Sequence, residues 1–201
     1  MNAAAGEVAV DLGAGVGAAG LALARRVAGV TVHLVEIDPE LAALARENAE
    51  RNGLAGRVAA HALDVAAPPE MFAAAGLAAG STDRVLMNPP FHAAGRAQAS
   101  PDARRRIAHL APAGTLTVIF RADGLGELLA ALAPAFGAVA IQPVHPKPGA
   151  AAIRVLVCAT KGSAAPSRLL PALVLNGEDG RPSAAAEAVL REGTALPLGY
   201  A

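Results

Sequence analysis

The stretch from Glu7 to Gly17 reads EVAVDLGAGVG. Apolar residues alternate with small or acidic ones up to Leu12, and then glycine recurs at positions 13, 15 and 17. The first half is a short strand. The second half has almost no side chain to bury, so it is a turn whose backbone a ligand can approach closely. Residues 16–28 then place Val16, Leu21, Leu23, Ala24 and Val27 at helical spacing. Strand, glycine turn and helix in this order commit the chain to an α/β arrangement with a ligand at the strand's carboxyl end.

The same alternation continues. Val30 to Val35 reads as a second strand ending at Glu36, and Asp38 caps a helix with Pro39 in its first position. Leu41, Leu44, Ala45, Asn48 and Ala49 keep that helix in phase until Gly53. Arg57 to Ala62 is a weaker third strand ending near Asp64, residues 69–79 suit a short helix, and Arg84 to Met87 is a fourth strand. Residues 91–103 read as loop and 102–110 as a short helix carrying Arg104, Arg105 and Arg106. Gly114 turns into a fifth strand, Thr115 to Phe120, and Leu125, Leu128, Leu129 and Leu132 mark the next helix. Val139 to Val144 and Ile153 to Ala159 are joined by His145-Pro146-Lys147-Pro148-Gly149, too short for a crossover helix, so they must be antiparallel neighbours. The expected fold is α/β: a mostly parallel seven-stranded sheet with a C-terminal antiparallel hairpin. One domain is expected over residues 1–161. Residues 162–201 form a Pro- and Gly-rich tail packed on it, with a helix near 183–192.

The fourth strand runs into Asn88-Pro89-Pro90-Phe91. Two prolines end any ladder because they lack an N–H. What remains at the strand end is a side-chain amide, two rigid residues with free carbonyls, and a ring. An amide oxygen and a backbone carbonyl can both accept from one –NH2 group, and a ring can stack on a flat heterocycle. With four Phe, one Tyr and no Trp in 201 residues, an aromatic at this place is unlikely to be chance.

Net charge is zero but unevenly spread. Residues 1–90 hold 6 Lys/Arg against 10 Asp/Glu, and residues 91–170 hold 9 against 3. A local basic excess attracts phosphate even on a neutral chain. Cys158 is the single cysteine, so neither a disulfide framework nor a cysteine metal site is expected. No apolar run has the length of a membrane span and no charged-then-apolar leader opens the chain, so a cytoplasmic protein without a membrane partner or a metal is expected.

Two ligands compete for the glycine turn. Gly15 to Gly20 matches the dinucleotide pattern G-x-G-x-x-G. Asp11 stands two residues before the first glycine, however, where a pyrophosphate would meet its negative charge. S-adenosylmethionine carries an ammonium and a sulfonium and no phosphate, and its ribose hydroxyls would find an acceptor in Glu36 and its adenine amino group one in Asp64.

VAVDLGAGVG, VHLVEIDPELAALARENAERNGL and DRVLMNPPF together resemble the Rossmann-like S-adenosylmethionine methyltransferases, in particular the small-domain group that methylates nitrogen. The resemblance implies that Asp11, Gly13, Gly15 and Gly17 bind the cofactor's methionine part and that Glu36 binds its ribose. It further implies a cofactor contact for Asp64, and a cradle for the acceptor nitrogen at Asn88, Pro89, Pro90 and Phe91, with Asn88 also beside the cofactor. HPKPGAAAIRVLVCATKG and LLPALVLNGEDGRPSAAAEAVLREG look like the C-terminal end of bacterial tRNA(Val) adenine-N6 methyltransferases, which implies tRNA as partner. Relatives begin several dozen residues earlier, so a segment that covers the cofactor is expected to be missing here. They also carry Pro-Gly-Gly where this chain has Pro112-Ala113-Gly114. Three other functions fit part of the pattern: methylation of a glutamine amide in release factors, a truncated domain that binds cofactor without catalysis, and a dinucleotide-binding oxidoreductase.

Overall fold

The computed structural model describes residues 3–88, 110–196 and 198. Pro89, Pro90, Phe91 and Arg104 to Arg106 lie outside the described residues. Among the described residues nine strands form one sheet: β1 (Val8–Leu12), β2 (Thr31–Glu36), β3 (Val58–Ala62), β4 (Thr82–Met87), β5 (Leu110–Arg121), β6 (Phe136–His145), β7 (Arg154–Lys161), β8 (Arg168–Leu169) and β9 (Leu173–Val174). The helices are α1 (Ala18–Arg26), α2 (Pro39–Arg51), α3 (Pro69–Ala74), α4 (Leu125–Leu132) and α5 (Ala184–Leu190).

The strand order is β3-β2-β1-β4-β5-β7-β6-β8, with β9 also on β6. The first five strands are parallel, and β7 runs antiparallel to both β5 and β6. The expected mostly parallel sheet and its closing hairpin are therefore present. The expected seven strands become nine, because the tail adds β8 and β9 as parallel partners of β6. Two-residue strands carry no readable period, and only their pairing reveals them. The tail helix is found at Ala184–Leu190, capped by the Ser183 hydroxyl, which accepts from Ala186 N–H.

Each sheet face buries its own layer. Val10, Leu12, Val35, Val85, Leu116 and Val118 pack with Phe72 of α3, Leu77 and Leu132 of α4. Ala9, Val32 and Leu34 pack with Leu21, Leu23 and Ala24 of α1 and Ala45 and Ala49 of α2. Small residues bring these helices close: a methyl group at Gly20 would run into Leu34 and Val32. Leu170, Leu196 and Leu198 from the tail cover Ala140, Leu156 and Cys158 farther along the sheet. Helix α2 starts where the sequence says it should, because the Asp38 carboxylate accepts from Glu40 N–H at 2.8 Å, a cap worth about 1 kcal/mol.

The amino-terminal edge of the central strands is held by charge. Arg84 makes a two-pronged bond to Glu7 at 2.8 and 2.6 Å and donates to the Thr115 hydroxyl at 2.9 Å, tying β1, β4 and β5 together. Val8 N–H donates to the Asp83 carboxylate beside it. The guanidinium holds the Glu7 carboxyl below its usual range. β5 starts at Leu110, five residues before the expected Thr115, and passes through an irregular stretch where its register with β4 shifts. Ala113 there has φ 62°, the left-handed region that suits glycine.

Candidate functional site

The strands that carry the acidic residues end at one level. Leu12 lies beside Val35 and Met87, and Glu36 beside Ala62. The glycine turn, the Glu36–Asp38 corner, Asp64 and Asn88 therefore emerge on the same carboxyl rim, where open α/β sheets bind ligands. Asn88 is exposed, one residue past β4 and next to the strand that carries Asp11.

The turn is built from backbone. Gly13 and Ala14 N–H both donate to Val35 O, and Gly17 N–H to Ala14 O. Gly13 and Gly15 take φ 77° and 55°, and none of the described residues stands within 4 Å of where a Cβ would project. The turn's outer surface is thus free for a ligand. Gly17 differs: a Cβ there would meet Leu34, Leu21 and Ala45, so its hydrogen is required by packing under the start of α1. Asn48 of α2 donates its amide to Val16 O at 3.1 Å and pins the turn from the other side.

Two buried carboxylates flank this surface. Glu36 accepts Gly15 N–H at 2.8 Å on one oxygen and Asp38 N–H at 3.1 Å on the other. Each carboxylate oxygen has two acceptor sites, so these bonds fix the group's orientation and leave capacity for hydroxyl donors. Asp11 is 2% exposed and accepts Gly20 N–H at 2.9 Å, in the first turn of α1. Burial pushes its carboxyl up to about 6, opposed by the Gly20 bond and reinforced by the charge of Glu36. A site that raises a carboxyl in this way favours a cation beside it. Asp64 is exposed, and its oxygen accepts Ala66 N–H at 2.8 Å.

Three features escaped the sequence reading. Ile37, between Glu36 and Asp38, is 63% exposed and puts an apolar face on the rim. Asn48 counted only as part of a helical period. His33 and His61 meet across β2 and β3 with Nδ1 and Nε2 2.9 Å apart. Their planes differ by 11° and their centroids stand 5.2 Å apart, as expected for two rings lying nearly edge to edge along that N···N line. One ring must donate and the other accept, and burial holds both below the usual histidine range. The signal for this pair is the β2–β3 register, which puts His61 beside Val35.

The methyltransferase small domain family matches residues 1–142. The chain belongs to that family. A structure of a predicted O-methyltransferase from Agrobacterium tumefaciens is 30% identical, with TM-score 0.82 over 94% of this chain and 90% of that one. At 22% identity, TrmN from Thermus thermophilus matches with TM-score 0.62 over 79% of this chain and 45% of its own. A SAM-dependent O-methyltransferase from Thermotoga maritima, also 22% identical, matches with TM-score 0.58 over 81% and 62%. No curated protein sequence gives a significant match. This small-domain methyltransferase has the Rossmann-like α/β methyltransferase fold and takes S-adenosylmethionine as methyl donor. The residues fit that cofactor: two buried carboxylates face an open, uncharged backbone turn, which suits a ligand with two positive groups and no phosphate. No described helix is long and apolar enough to cross a membrane.

Proposed function

We propose that this methyltransferase transfers its methyl group to the N6 amino nitrogen of an adenine in tRNA. The observation that supports the reading best is the position of Asn88, exposed at the rim between the strand of the glycine turn and β5. Asp11 and the turn around Gly13 and Gly15 hold the methionine end of the cofactor. Glu36 accepts from the ribose hydroxyls, Ile37 offers apolar surface to the purine, and Asp64 accepts from its amino group. Gly17 keeps this turn seated on α1. The cofactor supplies an electrophilic methyl group.

The chain's own residues then prepare the acceptor. An aromatic amine is a poor nucleophile because its lone pair is conjugated with the ring. The Asn88 amide oxygen and the Pro89 carbonyl accept its two hydrogens and stabilise positive charge developing on nitrogen. Pro90 stiffens the turn, and Phe91 stacks on the base, a contact worth about 1–3 kcal/mol. Extracting a base costs on the order of a few kcal/mol and least where it is already unpaired, so one stacked ring offsets much of the cost in an anticodon loop. This assignment needs no metal, and no general base, because the methylated nitrogen is acidic enough to release its surplus proton to water. Residues 1–161 form the catalytic unit, and residues 162–201 form a tail packed on it, whose β8 and β9 extend its sheet.

The test is methyl transfer from labelled cofactor to bulk tRNA, followed by nucleoside mass spectrometry. N6-methyladenosine is the expected product. The Agrobacterium relative, described as a predicted O-methyltransferase, favours oxygen as a second reading, and label confined to a 2′-O-methyl nucleoside would establish that instead. Label in release factor but not in tRNA would move the acceptor to a glutamine amide.

A further inference from the structure

The glycine turn is fastened unevenly. Its first half hangs from β2: Gly13 and Ala14 N–H donate to Val35 O, and Gly15 N–H to the Glu36 carboxylate. Val16, in the second half, stands between Gly15 at φ 55° and Gly17 at φ 87°. Glycine gives the backbone freedom on both sides of it, and the Val16 side chain, 42% exposed, is not buried deeply enough to hold it. Within the turn Gly17 N–H donates to Ala14 O. Among the described residues, the hydrogen bond that reaches Val16 from outside the turn comes from the Asn48 side-chain amide, 3.1 Å from Val16 O. The peptide joining Val16 to Gly17 is therefore bonded at both its carbonyl and its N–H, and the carbonyl depends on Asn48.

Asn48 owes its reach to α2. Ala45, about one turn earlier, lies under the glycine turn: a Cβ on Gly17 would stand 3.4 Å from the Ala45 methyl. Residues three apart on a helix share a face, so Asn48 emerges where α2 and the turn are in contact. The Asn52 amide donates to Asn48 O at 2.8 Å and steadies this last stretch of the helix. Asparagine is a poor helix former, so the helix itself does not account for it. The bond to Val16 does, because an amide supplies an N–H that a carboxylate or an alkyl group of the same size lacks.

We propose that Asn48 is a positioning residue for the methyl donor: its amide keeps the turn in the shape that receives S-adenosylmethionine and so sets cofactor affinity without touching the cofactor. The inference rests on the reading above, in which this turn seats the methionine end. A ligand binds more weakly in proportion to the fraction of molecules whose site has lost its shape. Without the Asn48 bond, the flexible segment between the two glycines has to be ordered by the cofactor, at the expense of affinity.

The experiment uses the whole chain with Asn48→Leu, which keeps the size and removes the donor, and with Asn48→Ala. Calorimetry gives the affinities for S-adenosylmethionine and for its demethylated product, S-adenosylhomocysteine. Amide exchange is followed at residues 13–17 with and without saturating cofactor, and stability by urea unfolding. The expected result is a dissociation constant raised about three- to tenfold, the range of one lost hydrogen bond. The factor should be the same for both ligands, because they share the amino acid end. Exchange at Gly13, Ala14, Gly15 and Gly17 should quicken in the free variants and return to the wild-type rate under saturating cofactor. The urea midpoint should stay within about 0.3 M, since the better helix formers offset the lost bond. Affinity unchanged in both variants overturns the inference, and so does a loss confined to the sulfonium ligand. A fall in midpoint with exchange quickened throughout α2 and β2 also overturns it, since Asn48 would then serve only the fold. If cofactor does not slow exchange at the wild-type turn, the seating of the methionine end is refuted and the inference with it. If cofactor does slow it and the variants bind normally, the inference alone is refuted.

Discussion

Replacing Asp11 by asparagine tests how the cofactor side of the rim is built. Asp11 is 2% exposed, and its carboxyl is raised from 3.8 to about 6. At 1.36 kcal/mol per pH unit this interval is worth about 3 kcal/mol. The sign follows from proton counts. Between pH 4 and 6 the folded state holds a proton on Asp11 that the unfolded state has released, so stability falls as pH rises through this window. Above the folded value both states are ionised and the penalty stays constant. Asparagine keeps an oxygen for Gly20 N–H and removes the charge. The variant without cofactor should therefore exceed the wild type in stability by about 1 kcal/mol at pH 4.5 and about 3 kcal/mol at pH 7.5, less about 1 kcal/mol at both if its new amide hydrogens go unpaired. Urea unfolding at the two pH values measures this, and the difference between the two proteins cancels other titrating groups such as Glu7. Cofactor binding should reverse the order. A cation beside Asp11 lowers its pKa, so wild-type affinity for S-adenosylmethionine weakens as pH drops through 6, while the variant binds weakly at all pH values. A stability difference that does not widen between pH 4.5 and 7.5 would refute the reasoning.

Asn88→Ala should lower kcat by two orders of magnitude or more, with cofactor affinity within about twofold, since the lost bonds strengthen in the transition state; equilibrium dialysis and single-turnover rates check this. Ala113→Gly should stabilise the fold by about 0.5–1 kcal/mol, because relief of a left-handed alanine exceeds the entropy of an added glycine; the unfolding midpoint in urea reads it. His33→Leu and His61→Leu should each cost about 1–2 kcal/mol by leaving the other ring unpaired, and the double variant should cost less than their sum, as a double-mutant cycle on unfolding free energies will show. Glu7→Gln should lose stability at pH 7 but draw level with the wild type in acid, because the depressed Glu7 carboxyl stabilises only above its unfolded pKa and that gain disappears as pH falls; thermal unfolding at pH 3 and pH 7 distinguishes the two.

Much of this architecture is legible in the chain because it depends on local rules. The glycine turn needs no partner to be recognised, and neither does Asp38 with Pro39 after it. The common rim was also readable, because parallel strands in α/β order have to end on the same side. What the chain concealed depends on pairings far apart in sequence. β8 and β9 exist only as neighbours of β6. His33 and His61 are 28 residues apart. The role of Gly17 was half visible: its positive φ follows from the turn, but the side chains of Leu34 and Ala45 beneath it do not. Ala113 is a case where local rules and the fold disagree, since alanine stands where the backbone demands the geometry of glycine.

The Arg84–Glu7–Thr115 junction has a consequence for how this molecule can change. It braces the foot of the central strands, a full strand length from the rim. Rigidity and reactivity are therefore housed at opposite ends of the same five residues of β1. Substitutions that harden the foot against heat should leave turnover alone, and loops at the rim can be exchanged for new acceptors without unseating the strands that carry them.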